Sequence, residues 1–295
     1  MKQVAFAACL LALFGTSPSG PAKAAGAVRS PEACAPDLLD PVPERPARAR
    51  AGSAFVEEIQ RLAGPARDAE VVKQVLAGNF PDFLRRLIPV TMRWTPPGGA
   101  PIDVTICVTP DYLAVGGDGD FVRVPLGLPA AAAVATRMGF LLPTTKMVDA
   151  IYDQAQIRLA PAPMPPTAAM ESTDYFWRHN RTVEDQRIQT SGAQAALTAG
   201  QKKDIVLSNR LRSKPGRVAI YGWHRPNGKP IQPLSTVHGK NYADYSHGVR
   251  LVSMTAYVNG EPRWLPDILQ DPSLAPSVNS EGAIPHLDRL LDTIR

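Results

Sequence analysis

The residue pattern predicts an α+β fold built mainly on antiparallel sheet, with N-terminal and middle helices packed on it. Apolar residues recur at helical spacing from Phe55 to Leu87, then switch to period two between Val90 and Val108. Helical and strand-like stretches follow in blocks, without the regular strand–helix alternation of a parallel α/β sheet. Two Asn-Gly steps, 227–228 and 259–260, sit between strand-like segments and mark hairpins. With 44% hydrophobic residues the chain can bury a core, and 30 prolines and 22 glycines supply its turns.

The chain opens like an export signal. Met1-Lys2-Gln3 is a short positive start, Val4 to Phe14 is apolar, and Ala22-Lys23-Ala24 has the small-x-small form of a cleavage site. The apolar run, about 11 residues, is shorter than the roughly 20 that a membrane span needs, so no transmembrane anchor is expected after processing. The expected location is periplasmic or secreted. Loss of residues 1–24 removes Cys9 and, with Lys2 and Lys23, lowers the formal charge from +5 to +3. That balance, without a long Lys/Arg run, gives no nucleic-acid signature; the expected partner is an extracellular or cell-wall polymer or a small molecule.

Residues 25–52, rich in Pro, Ala, Arg and Glu, bury too little to offset ordering entropy and read as a flexible leader. An oxidising compartment permits a bridge between the remaining cysteines, Cys34 and Cys107. Because Cys34 falls in the leader, it is expected to stay unpaired. A single α+β domain then covers 53–295, with a subdomain boundary near the proline-rich stretch 159–168 as an alternative.

Order is expected to begin with a helix capped by Ser53 and carrying Phe55, Ile59 and Leu62. Helices follow at 68–76 and 81–87. A hairpin comes next, with Val90, Met92 and Trp94 facing Val104, Ile106 and Val108 across Pro96-Pro97-Gly98-Gly99. Segments 112–115 and 121–125 flank a glycine-rich turn. Helices are expected at 129–140, 144–156 and 175–188, strands at 205–208, 217–223 and 249–257, and closing helices at 265–270 and 286–294. There is no G-x-G-x-x-G, Walker loop, G-x-S-x-G elbow or H-E-x-x-H, and no repeat of fixed period.

Candidate chemistry gathers between Tyr221 and Arg250. Of five histidines, His224, His238 and His247 fall here, with Asp244, Ser246, Tyr221, Tyr242 and Arg250. Loops between strands commonly carry functional groups. In metal-free acid–base chemistry His247 or His238 moves a proton, Asp244 orients the ring, Ser246 is the nucleophile and Arg250 holds a carboxylate or oxyanion. In a zinc site His224, His238 and His247 are the ligands and a bound water attacks. Tyr221, His224, Tyr242 and Arg250 would contact substrate. In a third alternative the histidines and tyrosines brace a loop, or bind a ligand without chemistry. His179 reads as core packing, His286 as surface, and Lys202-Lys203-Asp204 as a solvated start to a strand.

The pair His238 and Asp244 resembles the His-to-Asp element of the D-Ala-D-Ala carboxypeptidase and dipeptidase group of zinc peptidases, with a shorter gap and no downstream Glu-x-x-His. His238-Gly239, followed by Ser246-His247-Gly248 and Arg250, resembles the signature of the L,D-transpeptidases of the bacterial cell wall. That family carries a cysteine nucleophile where this chain has Val249. The text from Lys202 to Arg250 also resembles a family of exported bacterial proteins of unassigned activity. The expectation is an exported hydrolase acting on an envelope or extracellular polymer at a peptide or amide bond, metal-free or with zinc. The alternative is a non-catalytic binding protein using the same polar loop.

Overall fold

The computed structural model describes Met1, residues 34–190 and residues 192–294. The export signal and residues 25–33 of the leader lie outside the described residues. No described helix is long and apolar enough to cross a membrane.

From residue 34 to 51 the chain lies on the core. Val42 is buried, the Arg45 guanidinium donates to the carbonyls of Gly116, Ala49 and Arg50, and Cys34 forms a disulfide with Cys107. This corrects the expectation of an unpaired Cys34. Composition counts side chains that can be buried locally, and the long-range anchors here are a distant cysteine and one backbone carbonyl of a strand, Gly116.

Helix α1 spans Gly52–Ile59 and buries Phe55, Val56 and Ile59. Ser53 does not cap it: Ala51 is the cap residue, and the Ser53 amide and hydroxyl both donate to the Asp120 carboxylate. The first-turn donors are thus satisfied from a strand 67 positions away, which local sequence does not reveal. Helix α2 runs Gly64–Leu76, starting earlier than expected because Pro65 suits a first turn. The expected third helix is a short 3₁₀ turn, Asp82–Arg85.

Strands β1 (Ile88–Trp94) and β2 (Ile102–Val108) form the expected hairpin, with Val90 opposite Ile106 and Met92 opposite Val104. The short pair β3 (Ala114–Gly117) and β4 (Asp120–Arg123) follows. Helix α3 is Leu128–Arg137; Gly139, at φ +79°, ends it, so Phe140–Leu141 become β5 instead of a last helical turn. Helix α4 (Thr145–Gln154) is capped by the Thr144 hydroxyl, which accepts the Met147 amide. After β6 (Ile157–Arg158) and an irregular proline-rich passage, α5 (Thr173–Gln189) starts on the Ser172 hydroxyl.

The remaining elements are β7 (Thr198–Ala199), β8 (Lys203–Ile205), α6 (Arg210–Ser213), β9 (Ile220–His224), β10 (Pro230–Ser235), β11 (His247–Gly248), β12 (Val252–Val258), β13 (Glu261–Trp264), α7 (Leu265–Gln270), α8 (Ala275–Val278) and α9 (Leu287–Ile294). Both Asn-Gly steps fall in hairpins, β9–β10 and β12–β13. In the second, Asn259 and Gly260 both take positive φ, as a two-residue hairpin turn requires.

The fold is α+β, and all its described strand pairs are antiparallel except β8–β11 and β6–β7. One sheet runs β1-β2-β12-β13, with β5 on β12; the other runs β10-β9-β8-β11. The main hydrophobic core joins Phe55, Ile106, Phe140, Ile205, Val252 and Leu265, drawing on both sides of 159–168, and two smaller clusters, around Val183 and around Tyr245, lie apart from it. Of the polar residues singled out above, Tyr221, His224 and His247 lie on the second sheet, His238, Tyr242, Asp244 and Ser246 in the loop between β10 and β11, and Arg250 just after β11.

Candidate functional site

Strand register assembles the site. Parallel pairing sets His247 beside Lys203 and Gly248 beside Asp204, and the next strand sets Gly222 beside Lys203. Side chains alternate along a strand, and Lys202 is buried while Lys203 is half-exposed. The expectation of a wholly solvated Lys202–Asp204 stretch is therefore corrected: Lys202 and Asp204 are 1% and 3% exposed.

Asp244 is the hub of one cluster. Its Oδ1 accepts the Ser246 amide and hydroxyl; its Oδ2 accepts the Tyr242 hydroxyl at 3.0 Å and lies 3.9 Å from His247 Nε2. Burial pushes this carboxyl up, but His247 and the Ser246 donors outweigh it and hold the group below the usual carboxylate range. His247 is fully buried, and neither ring nitrogen has a hydrogen-bond partner. Burial, with the positive charge of Lys203, outweighs Asp244 and lowers His247 to about 4, so the ring is neutral at pH 7. Tyr242 stacks on His238 with centroids 4.1 Å apart and planes 10° apart, and meets His247 edge-on at 5.6 Å. His238 and Tyr242 are half-exposed, and Lys203 Nζ lies 5.0 Å over the Trp223 ring. His238, Tyr242, Asp244, Ser246 and His247 therefore converge, with the first two reaching the surface and the last three sealed beneath.

Tyr221 and His224 belong to a different cluster. The Tyr221 hydroxyl donates to Asp149 Oδ1 at 2.9 Å, His224 Nε2 lies 2.9 Å from the same oxygen, and the His224 ring stacks on Tyr152 at 4.5 Å. Arg250 sits in a third. It is fully buried, donates to the backbone carbonyls of Thr109 and Thr198, and lies 4.2 Å over the Tyr112 ring. Tyr112 in turn donates to Asp204, whose carboxyl burial raises to about 6.

The donor set does not fit a zinc ion held by His224, His238 and His247. His224 Nε2 lies 2.9 Å from Asp149 in a cluster separate from His238 and His247, and no group of three or more His, Cys, Asp or Glu among the described residues is placed to hold a metal. The L,D-transpeptidase cysteine position, Val249, is fully buried, and the Cys107 sulfur is bonded to Cys34.

Several site neighbours escaped sequence reading. Asp149 lies 75 positions from His224 on a helix, and nothing local marks it. Lys202 Nζ lies 3.1 Å from His179 Nδ1 and donates to the Tyr245 carbonyl. Behind them Arg123 bridges Asp111 and Glu184. Lys202, Lys203 and Asp204 are all charged, so nothing in the sequence there separates the buried Lys202 from the half-exposed Lys203.

No family model, curated protein or solved structure matches this chain.

Proposed function

We propose that the protein works outside the cytoplasm, in the periplasm or secreted, and recognises an envelope or extracellular polymer at the face formed by His238, Tyr242 and Lys203. The observation that carries this reading is the His238–Tyr242 stack. Its two rings lie in register at the surface while Asp244 fixes the tyrosine hydroxyl from below. A rigid aromatic pair presents contact area at low entropic cost, and the half-exposed Lys203, on the strand paired with His247, favours acidic groups on the polymer. Ser246 supports recognition over nucleophilic chemistry, because its hydroxyl donates to Asp244 and the residue is 1% exposed.

The test is cosedimentation of the purified protein with insoluble cell-envelope polymer. Tyr242→Ala should weaken retention about tenfold, the scale of one lost aromatic contact plus its burial, with the circular dichroism spectrum unchanged. Retention equal to the wild type would overturn the reading.

One observation favours hydrolysis as a second reading. Both ring nitrogens of the buried His247 are unpartnered and its Nε2 lies 3.9 Å from an ionised Asp244, which suits a neutral base once the loop above it opens to admit an attacking water. Release of soluble fragments from the polymer, abolished by His247→Gln and indifferent to chelator, would select this reading over binding alone.

A further inference from the structure

Beside the His238–Tyr242 loop, an open groove of about 300 Å³ runs between the first turns of α2 and α3. Pro65, Val72, Pro129 and Ala130 give it apolar walls, Asn241 forms its rim, and Asp68 is its ionisable lining residue. Asp68 is 5% exposed. Its Oδ2 accepts the Gly127 amide at 2.9 Å, and its Oδ1 has no hydrogen-bond partner. The neighbouring Arg67 donates from Nη1 to the Glu171 carbonyl and lies 4.1 Å over the Phe176 ring; its Nε has no hydrogen-bond partner, so it acts on Asp68 by charge and not by a hydrogen bond.

A buried carboxylate oxygen without a donor is destabilising, more so when charged, and a donor supplied by a ligand removes that cost. The walls select the rest of that ligand, since they offer methylene contacts and no second charge. We infer that the groove is a binding site for a primary alkylammonium group, its N–H donors on Asp68 and its methylenes against Val72, Pro129 and Ala130. A charge-assisted hydrogen bond is the strong kind available to one buried carboxylate. Burial holds the free Asp68 carboxyl above the usual range, against the Gly127 amide and Arg67, and an ammonium ion beside it would bring it back down.

The groove is tied to the loop next to it. The Lys240 carbonyl accepts the Leu128 amide at 2.7 Å, and a Cβ at Gly127 would meet Asn241 Cα at 3.0 Å. A polymer bearing free amines could therefore touch both surfaces, although the amine site does not depend on polymer recognition.

The test is an amide-resolved NMR titration of the full chain with n-butylammonium at pH 7, with n-butanol and n-butyrate as controls. Shifts should concentrate at residues 65–72, 127–130 and 241. Asp68→Asn should weaken binding about tenfold or more, the scale of one hydrogen bond to a charged group. Ala69→Phe, which fills the groove from its exposed side and leaves the Asp68–Gly127 bond in place, should abolish the shifts. Absence of local shifts in the wild type, equal binding of butanol, or unchanged binding in Asp68→Asn would each overturn the inference.

Discussion

Lys202 Nζ lies 3.1 Å from His179 Nδ1, and neither side chain reaches solvent. Burial first, and then the Arg123 charge, lower the Lys202 ammonium to about 7; the same burial, with Lys202 beside it, lowers His179 to about 2. A fully buried amine that titrates near neutrality gives this fold a pH dependence on its alkaline side.

Between about 7 and the ordinary lysine value of 10.5, the unfolded chain holds the Lys202 proton and the folded chain has released it. Stability therefore rises with pH in that window, by at most about 1.4 kcal/mol per pH unit for one proton. In Lys202→Met the unfolding free energy measured in denaturant from pH 7 to 9 should rise less steeply than in the wild type. Parallel curves would refute the assignment.

On the acid side His247 sets the expectation. Its folded value of about 4 lies below the ordinary 6.5, so between these the unfolded chain binds more protons and stability falls as pH drops. Asp204, raised to about 6, works the other way, because its protonation favours the folded chain at low pH. His247→Asn should flatten the acid decline from pH 6.5 to 4, and Asp204→Asn should steepen it, both read as unfolding midpoints across buffers.

Arg123 and Asp111 are 1% and 2% exposed and bonded to each other, and Arg123 also pairs with Glu184. Removing Asp111 takes away the buried carboxylate and leaves the fully buried guanidinium with only the partly exposed Glu184 as a counter-charge. Asp111→Ala should cost about 3–5 kcal/mol in equilibrium unfolding, whereas the exposed pair Arg178–Asp174 should tolerate Asp174→Ala within about 0.5 kcal/mol.

The Cys34–Cys107 bridge closes a loop with a sequence separation of 73. By chain entropy it contributes about 4 kcal/mol. Cys34→Ser should lower the melting temperature by several degrees, and added reductant should lower that of the wild type while leaving the variant unmoved.

How much of this was legible follows from the distance over which each feature is decided. The β1–β2 hairpin, the two Asn-Gly hairpins and α7 depend on neighbours in sequence, and their patterns announced them. The convergence of His238, Asp244, Ser246 and His247 was visible for the same reason, being one short loop. The separation of His224 from that group was not, since it depends on Asp149 and Tyr152 arriving on α4. Ser53 looked like a cap and Cys34 like a loose residue because Asp120 and Cys107, their partners, are remote. Arg250, read as an anion holder, is instead spent on two backbone carbonyls that no motif encodes.

The parallel contact of Lys203 with His247 fixes more than register. Strand β8 is synthesised well before β11, and β9 and β10 must come between them. A nascent chain can close its early hairpin and still lack the polar centre, which waits for residues near 248 to leave the machinery that makes or moves them. Any trimming of the chain ahead of that point would remove β12 from the first sheet together with the polar centre.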